Sequence, residues 1–396
     1  MKNKKSLKLS IICYVDISVL NAESIQIINF AKALHRLGHK ISLFAPLIGK
    51  KREDDKIRIK YLPLIDLKYL RPLSFIFLTP FHLLHLLKKE NPDAVICFDL
   101  YSAPTIIPVI RLLNIPIFLY LNSIILEDMK ALNRNRITTF ISDLAYRSNV
   151  KLSNSVGCIS KPVMDYVVNK LKKPKNSVSV IKDAVDTDLF CPIDKKEAQI
   201  KCRLNVNCRY IGFVGSLCLW HGVDYLVEAA PLIINKNPDI RFLIVGDGEM
   251  KKTLQRRCNE LGISDYFIWT GFIEYEIVPT FISAFDIAVA FFKKVRSNYG
   301  SPMKIFEYLS CAKPVLASNY PEYGQFVESL GAGISANPED KEELSEKICG
   351  LLNNEENLIQ MGKKGREAVL KMHTWEKRAE EMSRLINSMI SNYGKN

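Results

Sequence analysis

Short apolar runs alternate along this chain with longer stretches in which apolar residues recur every three or four positions. The first half offers Leu9–Val15, Ile41–Ala45, Ala94–Phe98, Ile117–Leu121, Val156–Ile159 and Val178–Ile181 as strands. A run that is apolar throughout suits a strand covered on both faces, and the helical spacing between runs places a helix after each. Between the first two, Ile27, Phe30, Ala31 and Leu34 share one helical face, and Gly38 marks its end. This alternation predicts parallel strands with helices on both sides, a doubly wound α/β domain.

The pattern then starts again. Tyr210–Val214, Ile240–Val245, Phe267–Thr270, Ile287–Phe291 and Val315–Ala317 read as strands of a second such domain. Val223, Leu226, Val227, Ala230, Ile233 and Ile234 form the stripe of a helix that Pro231 is expected to bend. A chain of 396 residues exceeds what one core usually supports, so two domains are expected. The reading is an N-terminal Rossmann-like domain over 1–193, a polar linker over 194–208, and a second Rossmann-like domain over 209–373. An amphipathic helix opening at Trp375 fills 374–396. The apolar block Leu73–Leu87 is flanked by Lys68, Arg71, Lys88 and Lys89. It is shorter than the roughly 18–20 residues of a membrane span, and a buried helix is the ordinary reading, with an interfacial helix as the alternative.

The densest chemistry lies at Ser301–Pro314. Ser301 suits an N-cap and Pro302 the first helical position, so a helix starts directly after Asn298, Tyr299 and Gly300. Its tip offers unpaired N–H groups and partial positive charge to a phosphate. Lys304 and Glu307, three apart, share a face near that tip. Lys304 can reach an anion and Glu307 can accept hydrogen bonds from a ribose diol, which together describe a nucleotide. The plain alternative is a surface ion pair of little consequence.

That segment resembles the donor-site signature of retaining glycosyltransferases of family 4, which have the GT-B fold. Four further stretches follow in family order: Val185–Phe190, Phe213–Asp224, Phe242–Glu249, and Thr270–Ile273 with Val278 and Pro279. The resemblance implies two Rossmann-like domains facing an interdomain cleft, with the helix of 374–396 crossing back to the first, and transfer of a sugar from a nucleotide diphosphate sugar to a glycan, lipid-linked or other acceptor. It implies that Glu307 holds ribose. Lys304, His221, Gly215 and Ser216 hold the diphosphate with Gly300, Ser301 and Met303 at the helix tip. Gly246, Asp247, Gly248, Phe272 and Ile273 line the base pocket. Asn21, Ala22 and Glu23 stand on the acceptor side, and Asn122 near the reacting carbon. No cofactor or metal is implied beyond the nucleotide sugar itself.

The chain departs from the family at five places. Ser216 and His221 stand where its phosphate loop has Arg and Lys, Tyr299 where many members have a first Glu, Asn122 where they commonly have His, and Ser18–Glu23 has no glycine where a Gly-Gly turn often opens the first helix. His221 can still donate a hydrogen bond, or a charge when protonated. An amide such as Asn122 orients a hydroxyl but does not act as a base, and it also suits an ordinary strand-end turn. These departures keep two rivals open, a GT-B nucleotide-sugar epimerase and a catalytically inert partner subunit.

Composition changes the picture in two places. The net charge of +13 fits an anionic membrane surface or a lysine-rich solvated one. Nothing in the motifs supports a nucleic-acid partner. The ten cysteines form no C-x-x-C pair or metal spacing and read as reduced core residues of a cytoplasmic protein. A signal peptide is not expected, because Leu7–Val15 runs from the basic start directly into a strand pattern. Asp186 and Asp188 read as a turn cap, and His82 and His85 lack a third ligand.

Overall fold

The computed structural model describes residues 6–393 except 20, 66, 68, 69, 101–103, 294–299 and 302. They form two compact units, Met1–Asp183 with Trp375–Asn396, and Ala184–Thr374.

The first unit runs β1 (Lys8–Cys13), α1 (Ala22–Arg36), β2 (Lys40–Pro46), β3 (Arg58–Leu62), α2 (Arg71–Phe77), α3 (Thr79–Glu90) and β4 (Ala94–Phe98). It continues through α4 (Ile106–Leu112), β5 (Ile117–Leu121), α5 (Ile125–Ala131), α6 (Arg136–Leu152), β6 (Ser155–Cys158), α7 (Lys161–Asp165) and β7 (Val178–Val180). Its sheet has the order β3-β2-β1-β4-β5-β6-β7, with every pair parallel. β4 and β5 are buried at every position, as their unbroken apolar runs require. The order reverses between β1 and β4, so the crevice for a ligand lies beyond the C-terminal ends of those strands.

The second unit runs α8 (Lys195–Lys201), β8 (Arg209–Val214), α9 (Val223–Lys236), β9 (Ile240–Val245), α10 (Lys251–Glu260), β10 (Phe267–Gly271), α11 (Val278–Ser283) and β11 (Ile287–Ala290). There follow α12 (Met303–Ser310), β12 (Val315–Ser318), α13 (Phe326–Ser329), β13 (Gly333–Ala336), α14 (Lys341–Leu352) and α15 (Glu355–Met372). The order β10-β9-β8-β11-β12-β13 is again parallel throughout and reverses at β8 and β11. The last helix, α16 (Trp375–Tyr393), belongs to the first unit and packs on α1. There the Trp375 ring meets Phe30 edge-on at 5.1 Å, and His39 Nε2 lies 2.8 Å from Ser383 Oγ.

Three expectations need correction. Residues 194–208 are not a bare linker: Asp194 caps α8 by accepting Glu197 N–H at 3.0 Å, and α8 packs on α11. The chain crosses back at Thr374/Trp375 but first crosses at Asp183/Ala184 rather than near 193, because Val185 and Phe190 are fully buried in the second core. There the Arg366 guanidinium donates to Thr187 O, Phe190 O and Ser310 O at 3.1, 2.7 and 2.9 Å. β3 and β13 were not expected: each is an edge strand with one neighbour, and its half-polar sequence hides it. Finally, Leu73–Leu87 is only partly buried. Phe75, Leu83 and Leu87 face the core, while Leu73, Phe77, Leu78 and Phe81 are exposed. His82 and His85 are exposed as well.

Candidate donor site

The switch point of the second sheet places the loop after β8 beside the turn after β9. Leu217 N–H donates to Asp247 O at 2.8 Å and Met250 N–H to Leu217 O at 2.9 Å. The backbones approach so closely that a Cβ on Gly246 would lie 2.0 Å from Gly215 O, and one on Gly248 2.5 Å from Leu217 O. Gly215 and Gly246 also hold φ of +140° and +134°, a region that L side chains rarely adopt. Glycine at 246 and 248 thus has a packing cause in its own right.

Helix α12 points at this pair of loops. The hydroxyl of Tyr308, a fully buried residue of α12, accepts Val214 N–H at 2.7 Å, which ties the helix to the end of β8. A Cβ on Gly362 of α15 would lie 2.1 Å from Ala312 O, so only glycine lets α15 press this close behind α12. The described part of the helix begins at Met303. The expected cap at Ser301 adjoins Pro302, and Pro302 and Tyr299 lie outside the described residues.

Lys304 and Glu307 carry the electrostatics. Lys304 Nζ is sealed from solvent with no hydrogen-bond partner among the described residues. It stands 4.2 Å from the centre of the Phe213 ring and 5.4 Å from that of Phe292, within reach of both π faces. A Cβ on Gly215 would lie 3.0 Å from it, so the ammonium sits directly beneath the β8 loop. Burial pushes its pKa down to about 7, partly opposed by Cys218 and Glu307. Glu307 is buried too, and burial pushes its carboxyl up to about 7 against the Tyr275 hydrogen bond and the Lys304 charge. Tyr275 donates its hydroxyl to Glu307 Oε1 at 3.1 Å, and its ring lies 5.2 Å from that of Phe190. Burial and the carboxylate together hold the Tyr275 phenol well above its usual range.

His221 is turned inward at one nitrogen. Nδ1 lies 2.6 Å from Ser216 O, a carbonyl that can only accept, so Nδ1 carries the hydrogen and Nε2 the lone pair of the neutral ring. Cys218 Sγ lies 3.2 Å from the same nitrogen, and the ring packs among Phe213, Trp220 and Phe292. The side chain of Ser216 is exposed. Lys293, after β11, brings a further cation to the loop: its backbone N–H donates to Trp220 O at 3.0 Å and its Nζ pairs with Asp224 at 2.6 Å. Asp247 pairs instead with Lys251 at 2.9 Å, which with Gly248 N–H holds its carboxyl below the usual range. Phe272 is 75% exposed beside the half-buried Ile273, an open aromatic face at the turn expected to meet a base. A Cβ on Gly300 would lie 2.5 Å from Tyr323 Oη.

In the first unit, Asn122 and Gln26 exchange two amide hydrogen bonds of 2.9 and 3.0 Å, and Gln26 Nε2 also donates to Asp183 Oδ1 at 2.6 Å. Asn122 N–H donates to the Asp99 carboxylate at 3.0 and 3.1 Å. Burial raises the Asp99 pKa well above its ordinary value, with Glu23 and Asp128 adding to it. The Gln26 pair engages one N–H and one lone pair of the Asn122 amide. Asn21 has a structural role. It caps α1, accepting Ser24 N–H at 2.9 Å while Ser24 Oγ accepts Asn21 N–H at 3.0 Å. Ala22 and Glu23 are exposed in the first turn. Asp186 Oδ1 accepts Asp188 and Leu189 N–H at 3.1 Å each, the turn cap expected there.

Gln26, Asp99, Tyr275, Tyr308, Lys293 and Arg366 were not singled out from the sequence. Asp99 alone carried a local signal, a position directly after an apolar strand, where its φ of 41° is unusual for a residue other than glycine.

The family model described as "Glycosyl transferases group 1" matches residues 194–368, and that described as "Glycosyltransferase Family 4" matches residues 24–189. The chain belongs to glycosyltransferase family 4. An alpha-D-kanosaminyltransferase of Streptomyces kanamyceticus is 25% identical over 62% of this chain and 64% of its own length. A GDP-mannose-dependent alpha-(1-6)-phosphatidylinositol monomannoside mannosyltransferase of Mycolicibacterium smegmatis is 24% identical over 54% of this chain and 57% of its own. The alignments thus span only about half to two-thirds of these relatives. Among solved structures, the sucrose-phosphate synthase of Thermosynechococcus elongatus superposes with a TM-score of 0.80 at 17% identity, covering 97% of this chain and all of that one. The family 4 fold, GT-B, is therefore shared across the whole length.

Proposed function

We propose that this family 4 protein is a retaining glycosyltransferase that moves a hexose or related sugar from a nucleotide diphosphate sugar to a glycan or lipid-linked acceptor. The reading rests above all on Lys304, whose sealed amino group has no hydrogen-bond partner among the described residues and lies 3.0 Å from where a Cβ on Gly215 of the β8 loop would stand. An unpaired buried cation is costly, and an anion brought to that loop supplies what it lacks.

In this reading Lys304 and the Gly215–His221 loop hold the diphosphate, Glu307 accepts from the ribose diol with Tyr275 steadying it, and Phe272 with Ile273 borders the base, UDP or GDP. The bond from the anomeric carbon to the diphosphate oxygen breaks, and the acceptor oxygen bonds to that carbon on the same face. The acceptor proton passes to the leaving phosphate oxygen, so no side-chain base is needed where Asn122 replaces His. Lys304 and backbone N–H groups offset the charge of the leaving diphosphate, as oxyanion donors do elsewhere, and the step calls on no metal. The M. smegmatis relative's name specifies a GDP sugar and a lipid-borne acceptor, which supports both assignments by analogy. No helix of the described residues is long and apolar enough to cross a membrane. In this reading a lipid-linked acceptor is met by a peripheral protein at the cytoplasmic face.

The test is a panel of labelled UDP and GDP sugars with and without membrane extracts. Incorporation of label into a glycan or lipid with the anomeric configuration kept supports the reading. Conversion of the donor sugar without any acceptor points to epimerisation, and donor binding with neither outcome to an inert subunit.

A further inference from the structure

Helix α6 buries one stripe and exposes another. Ser142, Ala145, Tyr146, Asn149 and Val150 face the core. On the outer side Ile137, Phe140, Ile141 and Leu144 recur at the three- and four-residue spacing of a second apolar face. These four are exposed, Ile137 to 74% and Phe140 to 69%. An outer stripe of large apolar residues on a helix already anchored by its other side is the reverse of an ordinary surface helix.

The stripe has neighbours. α6 packs against α4, and α4 against α3. Phe77, ending α2, and Phe81, opening α3, are exposed as well, Phe81 to 76%. Crossover helices run opposite to parallel strands, so the first turns of α3 and α6 lie toward the strand C-terminal edge, the edge that carries Asp99 and Asn122. Basic residues border the patch. Arg134 and Arg136 stand exposed before and at the start of α6 with no ion pair among the described residues, and Lys88 and Lys89 are exposed at the end of α3.

We propose that this face of the first unit, centred on Ile137, Phe140, Ile141 and Leu144, docks on an anionic lipid surface. The apolar side chains enter the acyl boundary while Arg134 and Arg136 meet lipid phosphates. Charge separates this occupant from a second copy of the chain: a copy would bring the same arginines and the same +13 net charge to the contact, whereas an anionic bilayer attracts both. The assignment rests on the proposed transfer reaction only for its purpose, which is to hold the acceptor-side edge against the membrane that carries the acceptor.

Sedimentation with vesicles of phosphatidylcholine, alone or mixed with phosphatidylglycerol, tests it on the full chain without donor. The wild type is expected to pellet with the mixed vesicles, less so with neutral ones, and less as salt rises. Phe140→Ser with Ile141→Ser, and separately Arg134→Glu with Arg136→Glu, are each expected to lower the bound fraction by about tenfold or more. Melting temperature and the thermal shift given by UDP or GDP are expected to be unchanged in both, since all four residues are exposed. Failure to pellet above the vesicle-free control overturns the proposal, as does pelleting that both variants retain. A wild-type dimer in sedimentation velocity that Phe140→Ser with Ile141→Ser dissociates, without vesicle binding, assigns the face to a second copy and also overturns it. Because the assay needs no donor, loss of the donor-site reading leaves this result standing, and the reverse holds.

Discussion

Lys304 and Glu307 make donor affinity a bell-shaped function of pH. Burial lowers the lysine to about 7 and raises the glutamate to about 7, so the free site gains or loses its protons around one value. Well below it both groups are protonated, and well above it neither is. The bound donor favours a charged Lys304 against diphosphate and an ionised Glu307 against ribose, the form with one proton between them. With both values near 7, about a quarter of free molecules hold that form at neutrality and about three in a hundred at about pH 5.5 or 8.5. Affinity should therefore fall about eightfold on each side, about 1.2 kcal/mol. Titration calorimetry with UDP-glucose and GDP-mannose suits the question, because the diphosphate diester keeps its charge over this range. The sign on each limb is distinct. The acid limb belongs to Glu307, so Glu307→Gln should remove it and leave the alkaline fall; Lys304→Met should do the opposite while weakening binding throughout. A wild-type affinity that does not vary with pH, or variants that keep both limbs, would refute the reasoning.

His221 offers a second test, since with Nδ1 held by Ser216 O its ring can donate at Nε2 only when protonated. If that nitrogen faces the diphosphate, His221→Lys should raise affinity on the alkaline side of the profile relative to the wild type, measured by the same calorimetry. Identical profiles would place the ring outside the phosphate site. Arg366→Ala leaves the carbonyls of Thr187, Phe190 and Ser310 without their donor and should cost about 2–3 kcal/mol in urea unfolding, with donor affinity per folded molecule little changed. A loss below about 0.5 kcal/mol would mean that water replaces the guanidinium.

What could be read in advance follows the range of the interaction. β4 and β5 are buried throughout, and so their apolar runs are unambiguous. β3 and β13 escape notice because an edge strand touches one neighbour and keeps polar residues. The segment Leu73–Leu87 shows the limit of composition: the same leucines and phenylalanines suit a core or an exposed face, and only packing decides that Leu83 is buried and Phe81 is not. Lys304 and Glu307 were legible because helix geometry alone brings them together. Tyr275, 32 residues from Glu307, and Gln26, 96 from Asn122, were not, because those pairings arise from the fold of the whole unit. Asn21 marks a different lapse, since Asn-x-x-Ser before an apolar stripe is a helix-start signal in its own right.

The return of α16 to the first unit sets an order of assembly during synthesis. The second unit is one unbroken stretch, Ala184–Thr374, and every strand of its sheet is made before Trp375. The first unit, although begun earlier, waits until the second has been synthesised to receive Trp375, Met382 and Ile386, all buried. Until then the α1 surface under Trp375 stays open to water. The half of the protein made first is thus the half completed last, and a chain released just before Trp375 would carry a finished second unit beside a first unit still lacking its closing helix.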